Sequence, residues 1–213
     1  MSSIAGRLAL VKMGGATTSF TDEAVTVLTT NQIYQIANAA KQVWDPTATI
    51  TVKAAGVAVD PVADPYSINR LTGTITFVNV SARGIVTVSG HYLPLTTIAK
   101  SHTVSVDLSA PPLDDTTFDS NGWEECVPGM KAAAISLGRN LETVSTPLLR
   151  AALTAGTPLV IEVLYNRNDA TTAILMWGLP TKQSANANIK QLITDGIDFV
   201  GYPDADLRVV SIA

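Results

Sequence analysis

The sequence predicts a mainly β fold: an antiparallel β-sandwich or partly closed barrel with one flanking α-helix. Short apolar runs that alternate with polar residues recur along the 213-residue chain, separated by glycine, proline, aspartate or asparagine. Runs of this length and spacing are typical of antiparallel strands. A single segment, near residue 150, carries both the start and the stop signals of a helix. We therefore expect one helix that packs on the side of a sheet.

The N-terminal part predicts a strand followed by an extended segment. Residues 7–13 (RLALVKM) form an apolar strand that ends at Gly14 and Gly15. Residues 22–40 combine β-branched side chains with an alternating run, which favours strands. We expect this segment to be extended, with one short helical turn before Trp44.

The next part, residues 44–100, predicts a series of β-hairpins. Gly73 supplies the positive backbone φ angle that a tight turn between two of these strands requires. The predicted strands are 49–53, 57–59, 66–68, 74–77 and 85–92.

The predicted helix comprises residues 146–155. Ser145 can cap its N-terminus, Pro147 fits its first turn, and Gly156 fits the position just past its end. Leu149 and Leu153 lie one turn apart, so we expect both to be buried against a sheet.

The rest of the C-terminal half predicts strands at 159–165, 173–178, 188–193, 196–200 and 208–211. We expect a single domain over residues 1–213. Within it, residues 1–43 are an N-terminal arm with the first strands, residues 44–100 are rich in hairpins, and residues 101–213 form the sandwich that contains the helix.

Composition limits the classes of function. Hydrophobic residues make up 46% of the chain and charged residues only 15%. With a mean hydropathy of +0.26, we expect partner subunits to cover some apolar surface. The net charge of −4 argues against a basic surface for tight nucleic-acid binding. No window approaches about 18 uninterrupted apolar residues and the N-terminus has no apolar signal core, so we expect no membrane segment and synthesis in a cytoplasm.

Motifs for catalysis and cofactor binding are absent. The sequence has no phosphate-binding loop, dinucleotide fingerprint, nucleophile elbow or histidine pair at helical spacing. Its one cysteine, Cys126, follows two glutamates, whose negative charges disfavour the thiolate that a nucleophile needs. His91 and His102 could approach each other, but two partly exposed strand residues are the simpler interpretation. We expect no enzyme activity, no cofactor and no metal.

A long acidic connection follows the strand near residue 105. Six of the chain's 18 acidic residues lie between residues 107 and 125, and no lysine or arginine occurs between Lys100 and Lys131. A connection of this length is usually functional or disordered, and its two aromatic side chains favour a function at an interface with a neighbouring subunit. Residues 119–125 also cluster oxygen ligands, but their glycine comes too early for an EF-hand calcium loop. The candidate interface residues are Asp114, Asp115, Phe118, Asp119, Trp123, Glu124 and Glu125.

Several segments resemble the tail tube (major tail) proteins of long-tailed bacteriophages. They are 66–77 (YSINRLTGTITF), 84–93 (GIVTVSGHYL), 122–130 (GWEECVPGM), 159–177 and 194–202 (TDGIDFVGY). The resemblance extends from about residue 44 to the C-terminus. It implies a tail-tube-like β-sandwich with one flanking helix, in a subunit that forms hexameric rings which stack into a tube.

Membership of that family would make the chain a structural virion protein, located in the virion tail after assembly in the cytoplasm of a bacterial host. Its partners would be further copies of itself in stacked rings, together with the tape measure, tail tip and terminator proteins. Phage DNA would pass through the lumen without specific binding. In such a tube, strands 7–13 and 85–92 would be sheet edges that pair with neighbouring subunits and line the channel.

Other classes of protein also fit the sequence. A carbohydrate-binding β-sandwich would place Trp44, Trp123 and Trp177 on one exposed face. Another assembly protein, such as an Hcp-like secretion tube subunit, a tail terminator or a head decoration protein, would share the apolar surface. A hydrolase is the least favoured class, because the motifs of catalysis are absent.

Overall fold

The computed structural model describes residues 9–98, 100–116, 123, 125–141, 145–187 and 192–212. Its first strands are β1 (Leu10–Gly14), β2 (Thr18–Thr29), β3 (Ile33–Ile36), β4 (Thr51–Ala54), β5 (Val57–Ala58), β6 (Tyr66–Asn69), β7 (Thr74–Phe77), β8 (Val86–Tyr92) and β9 (Leu95–Thr97). The following elements are β10 (Ser101–Ser109), β11 (Pro112–Asp114), β12 (Cys126–Pro128), β13 (Ala132–Asn140), α1 (Ser145–Ala155), β14 (Leu159–Leu164), β15 (Ala173–Asn186), β16 (Thr194–Gly201) and β17 (Val210–Ile212). The predicted class, mainly antiparallel β with one α-helix, is confirmed.

The chain packs as two compact units. The first comprises Met1–Ile98, Leu159–Trp177 and Tyr202–Ala213, and the second comprises Ala99–Pro158 and Gly178–Gly201. Strand β15 is continuous in sequence, with residues 173–177 in the first unit and 178–186 in the second. The predicted single domain with parts 1–43, 44–100 and 101–213 stays a prediction. In the part of the chain that the structure describes, no helix is long and apolar enough to cross a membrane.

The first unit contains a seven-stranded antiparallel sheet in the order β5-β4-β8-β2-β3-β7-β6. Segment 22–40 is extended in β2 and β3, with a single 3-10 turn at Ala39–Lys41, as predicted. The turn between β6 and β7 requires glycine, because Gly73 has φ of +61° and a Cβ there would lie 2.7 Å from the carbonyl oxygen of Gln42. The core side chains are Phe20, Tyr34, Ile36, Trp44, Ile50, Val52, Ile75, Phe77, Val86 and Val88.

The other strands of the first unit run in the order β15-β14-β1-β9, and β17 pairs with β15. They bury a second group of apolar side chains. This group comprises Val43, Leu71, Val160, Leu164, Ala173, Leu175 and Trp177.

Two strands predicted to be sheet edges are interior strands, so that prediction is wrong. β1 pairs with both β14 and β9, and β8 pairs with both β2 and β4. Since both sides of these strands already have hydrogen-bonding partners, they cannot continue the sheet of a neighbouring subunit. A third prediction, the strand at 188–193, falls mostly outside the described residues, and Leu192 and Ile193 are not in a strand.

The second unit is built on four antiparallel strands in the order β10-β13-β16-β15, with β10 at the edge of the sheet. One face of these strands is apolar and buried. Its side chains Ile135, Leu137, Ile197 and Phe199 are each at most 2% exposed. The other face carries small polar residues and is open.

A buried ion pair interrupts the apolar face of the second unit. Arg139 donates to Asp195 Oδ2 from Nη2 at 2.7 Å and from Nε at 3.2 Å, and both residues are at most 1% exposed. Gln183 Nε2 donates to the same carboxylate at 2.9 Å. Arg139 Nη2 also donates to Thr146 Oγ1 at 2.9 Å, which connects the network to α1. These bonds join three strands and the helix.

Helix α1 begins at Ser145, one residue before the predicted start, and ends at Ala155 as predicted, and Gly156 follows it with φ of +64°. Leu149 is 1% exposed and Ala152 is 5% exposed, whereas Leu153 is only half-buried. The prediction of burial is therefore confirmed for Leu149 and wrong for Leu153. The buried stripe follows positions three residues apart, 146, 149 and 152.

Leu149→Ala is expected to lower the free energy of unfolding by about 2–5 kcal/mol, as truncation of a buried leucine does. Leu153→Ala is the matched control on the same helix. It should cost less, because part of that side chain already contacts water. Urea denaturation followed by circular dichroism measures both values, and equal losses would contradict the assigned helix face.

Candidate assembly surfaces

The acidic connection contains a two-stranded hairpin formed by β11 and β12, so it is not the irregular loop that the sequence suggests. Beyond the strands, the Asp115 N–H donates to the Glu125 carbonyl oxygen at 2.9 Å and continues the ladder. Each strand has only three residues, which is too short for apolar alternation to be visible in the sequence. The paired residues are Pro112 with Pro128, Leu113 with Val127 and Asp114 with Cys126.

Large apolar side chains on and beside this hairpin are exposed. Trp123 is 79% exposed and Met130 is 90% exposed, while Leu113 and Val127 are 56% and 43% exposed. Leaving side chains of this size in water forfeits the free energy that their burial would release. Such a group of side chains marks a surface for contact with another protein.

Exposed carboxylates accompany these apolar side chains. Asp114, Asp115 and Glu125 all face solvent. Hydrogen bonds from the side chain and then the backbone N–H of Thr116 hold the pKa of Asp114 below its ordinary value, and the N–H donates to Asp114 Oδ1 at 2.9 Å. Asp114 is therefore ionised at neutral pH, and a partner surface has to provide cations or water beside it.

Four of the seven predicted interface residues lie together on or next to the hairpin. These are Asp114, Asp115, Trp123 and Glu125. The other three, Phe118, Asp119 and Glu124, lie outside the described residues. The role of all seven in an interface stays a prediction.

One end of the seven-stranded sheet is a second apolar surface, which the sequence analysis missed. We call it the loop end. The guanidinium of Arg83 joins three loops there, by donating to Asp64 Oδ2 at 2.6 Å, to the Asn31 carbonyl at 2.7 Å and to the Asn79 carbonyl at 2.7 Å. The exposed aliphatic side chains of the loop end are Val27, Leu28, Val57, Val62, Val78, Val80 and Ile85, between 52% and 88% exposed.

Two of the three tryptophans are core residues. Trp44 and Trp177 are 0% exposed, whereas Trp123 is 79% exposed. A sugar-binding face would require several aromatic side chains on one accessible surface. The burial of two tryptophans therefore counts against a carbohydrate-binding module.

The two histidines and the cysteine are exposed strand residues. His91 in β8, His102 in β10 and Cys126 in β12 are all exposed. Among the described residues, no group of three or more histidine, cysteine, aspartate or glutamate side chains is placed to hold a metal ion. The absence of enzyme activity stays a prediction.

No protein-family profile and no curated protein matches the sequence. A chain in the tail of an empty gene transfer agent particle with C6 symmetry is similar over 56% of this chain and 87% of its own length, with 17% identity and a TM-score of 0.48. A chain of the native gene transfer agent virion is similar over 56% and 88%, with 16% identity and a TM-score of 0.47. An Hcp protein is similar over 77% and 96%, with 14% identity and a TM-score of 0.31. At these identities and TM-scores, the function has to be argued from the chain's own residues.

Proposed function

We propose that the chain is the structural subunit of a phage tail tube, in which hexameric rings stack around the passage for DNA. The observation that carries the proposal is the hairpin segment, in which Trp123, Leu113 and Val127 are all exposed. The segment 122–130, which includes β12, is also one of those that resemble tail tube proteins. A stacked assembly would cover these side chains in every copy, whereas a monomer would leave them in water.

The edge strand of the second unit provides a further contact surface. β10 has nine residues and lies at the edge of its sheet. The outward hydrogen-bonding groups of such a strand can pair with a strand of a neighbouring copy. We therefore assign the lateral contact within a ring to β10, in place of strands 7–13 and 85–92.

The other parts of the proposal follow from this role. A tube subunit needs no catalytic group, cofactor or membrane segment. Its partners would be further copies and the tape measure, tail tip and terminator proteins, in a virion tail assembled in the bacterial cytoplasm. DNA would pass without specific binding, because a chain of net charge −4 does not hold phosphates.

Negative-stain electron microscopy of the purified chain tests the proposal. We expect rings or tubes of uniform diameter at high protein concentration, and light scattering that grows as the sample ages. A monodisperse monomer at every concentration, in the presence of purified tail tips as nuclei, would contradict the proposed function and favour a binding module.

Shortening the hairpin is expected to abolish tubes and leave the fold intact. In this variant an asparagine–glycine turn replaces residues 113–127 and joins Pro112 to Pro128, which are already paired across the hairpin. Because the described residues of the replaced segment are all exposed, the circular dichroism spectrum and thermal midpoint should change little.

Point variants refine the hairpin test. Trp123→Ala removes the largest exposed side chain and should reduce tube length and yield. Lys131→Ala is the matched control, because Lys131 is exposed near the same hairpin and carries no apolar anchor. Tubes of normal length from the shortened variant would refute the role of the hairpin in assembly.

A further inference from the structure

The four-stranded sheet of the second unit has two chemically different faces. Residues that pair directly across antiparallel strands point to the same side, so the strand register defines each face. We call the polar side the hydroxyl face. One of its rows joins Ser105, Ser136, Asp198 and Lys182, and the next joins Thr103, Gly138, Gly196 and Ser184.

A depression of about 300 Å³ opens on the hydroxyl face, and residues of all four strands line this space. Two glycines keep it open: a Cβ at Gly196 would lie 2.9 Å from Ser184 Oγ, and a Cβ at Gly138 would contact Thr103 Oγ1. Larger residues there would displace the hydroxyl side chains and fill the space.

The side chains of the hydroxyl face exclude most classes of partner. Its two rows contain no large aliphatic side chain, and the one ring beside them is that of His102, whose Cε1 would lie 3.2 Å from a Cβ at Gly138. The rows therefore lack the apolar anchors of a protein interface. The next row joins Asp107, Ala134, Val200 and Leu179, so the large aliphatic side chains lie outside the two hydroxyl rows. The hydroxyl rows themselves offer a docked protein little to bind.

The charges of the hydroxyl face are few and mixed. Lys182 lies opposite Asp198 in the register, and Ser136 Oγ donates to Asp198 Oδ1 at 2.8 Å. Phosphate groups would meet no cluster of cations that could hold them. They would also meet no continuous row of carboxylates that could repel them.

From the edge position of β10 and the chemistry of this face we infer that the hydroxyl face is the wall of the tube's channel and that it faces passing duplex DNA. The inference rests on the proposed tube and assigns its lining to these residues. A sheet that continues from copy to copy and closes into a barrel turns one face toward the channel. The apolar face of this sheet is already buried, so the hydroxyl face is the one available to line it. Short hydroxyl side chains exchange hydrogen bonds with water and phosphate without forming ion pairs, so DNA slides along them.

Single cysteines test where the hydroxyl face lies in assembled tubes. The parent for this experiment is Cys126→Ser, which removes the exposed native thiol. Ser136→Cys and Ser184→Cys report on the hydroxyl face, and Thr154→Cys, exposed on α1, is the matched control. Each variant is treated, before and after assembly, with N-ethylmaleimide and with a polyethylene-glycol maleimide too bulky to enter a tube.

In the Ser136→Cys and Ser184→Cys variants, the new thiol should react with both reagents before assembly. In tubes it should still react with N-ethylmaleimide but no longer with the bulky reagent. Reaction with the bulky reagent in tubes would place the face outside and overturn the inference. Loss of reaction with both reagents would place it in a contact between subunits and overturn it as well. A parent and wild-type chain that form no tubes at all would instead contradict the proposed function.

A second measurement tests DNA as the occupant of the channel. Wild-type tubes should not co-sediment with short duplex DNA, whereas Ser136→Lys tubes should retain it and release it as salt is added, because each new ammonium pairs with phosphates. The retained DNA should resist a nuclease, unlike DNA held by the exterior control Thr154→Lys. Nuclease-sensitive DNA on the Ser136→Lys tubes, or equal retention by wild-type tubes, would overturn the assignment.

Discussion

Asp195→Ala is expected to lower the free energy of unfolding by about 3–5 kcal/mol, because it removes the carboxylate from a buried guanidinium. Arg139 is 0% exposed, and its Nη2 lies 2.7 Å from Asp195 Oδ2. Water cannot replace the carboxylate without opening the sheet. The same change removes the acceptor of the Gln183 side-chain amide, which donates to Asp195 at 2.9 Å. Urea denaturation followed by circular dichroism gives the loss.

Three further variants separate the charge of Asp195 from its hydrogen bonds. Asp195→Asn keeps an acceptor oxygen and should cost less than Asp195→Ala, because the hydrogen bonds are partly preserved. Asp198→Ala, on the open face of the same strand, is the matched control and should cost little. The double variant Arg139→Met with Asp195→Leu should lose less free energy of unfolding than its two single variants lose together, since no buried charge remains. A loss below about 1 kcal/mol for Asp195→Ala would show that the ion pair is already hydrated.

Local signals predicted the helix of this protein, but not its buried face. Pro147 and Gly156 are signals that act within one or two turns, so the sequence alone predicts the limits of α1 to within one residue. Burial of Leu149 rather than Leu153 depends on where the sheet lies beside the helix. Helical periodicity allows either stripe, because positions three and four residues apart share one side.

Strand positions were also predictable, whereas strand neighbours were not. Alternating residues mark β1 and β8 as strands, but pairing joins segments far apart in sequence, as when Phe20 pairs with Gly90. The acidic and aromatic composition of the connection predicted an interface. Trp123 and Asp114 are exposed in the structure, and their role in an interface stays a prediction. The hairpin of β11 and β12 was not predicted, because its strands are too short to show an alternation of apolar and polar residues in the sequence.

Buried cations were the hardest feature to predict. An arginine in a sequence favours the surface, yet Arg83 and Arg139 are both buried. Arg83 binds the Asp64 carboxylate and main-chain carbonyls, and Arg139 binds the Asp195 carboxylate and the Thr146 hydroxyl. The most distant of these partners come close only in the folded chain. Asp195 is 56 positions from Arg139, and the Asn31 carbonyl is 52 positions from Arg83. The loop end therefore became recognisable only in the structure.

Arg83→Leu is expected to lower the free energy of unfolding by about 3 kcal/mol, because several polar groups lose a shared donor. The Arg83 side chain is 4% exposed and binds both oxygens of Asp64, at 2.6 and 2.7 Å. Its guanidinium carbon also lies 3.8 Å from the centre of the Phe77 ring. Hydrogen exchange should increase in the loops around residues 31, 64 and 78–85 in this variant, while the strands of the second unit remain protected.

The acid dependence of this loss identifies Asp64 as the partner. Hydrogen bonds from Arg83, opposed by desolvation and aided by its charge, hold the pKa of Asp64 below its ordinary value. A lowered pKa gives a stabilisation that is present above the unfolded pKa of about 3.9 and is lost as the pH falls through the folded pKa. The difference in free energy of unfolding between wild type and Arg83→Leu should therefore be constant near neutral pH and should become smaller below about pH 4. Arg83→Lys keeps the charge but loses the bidentate geometry. Its free energy of unfolding should lie between those of wild type and Arg83→Leu. A difference that stays constant down to acid unfolding would mean that Asp64 does not contribute through its charge.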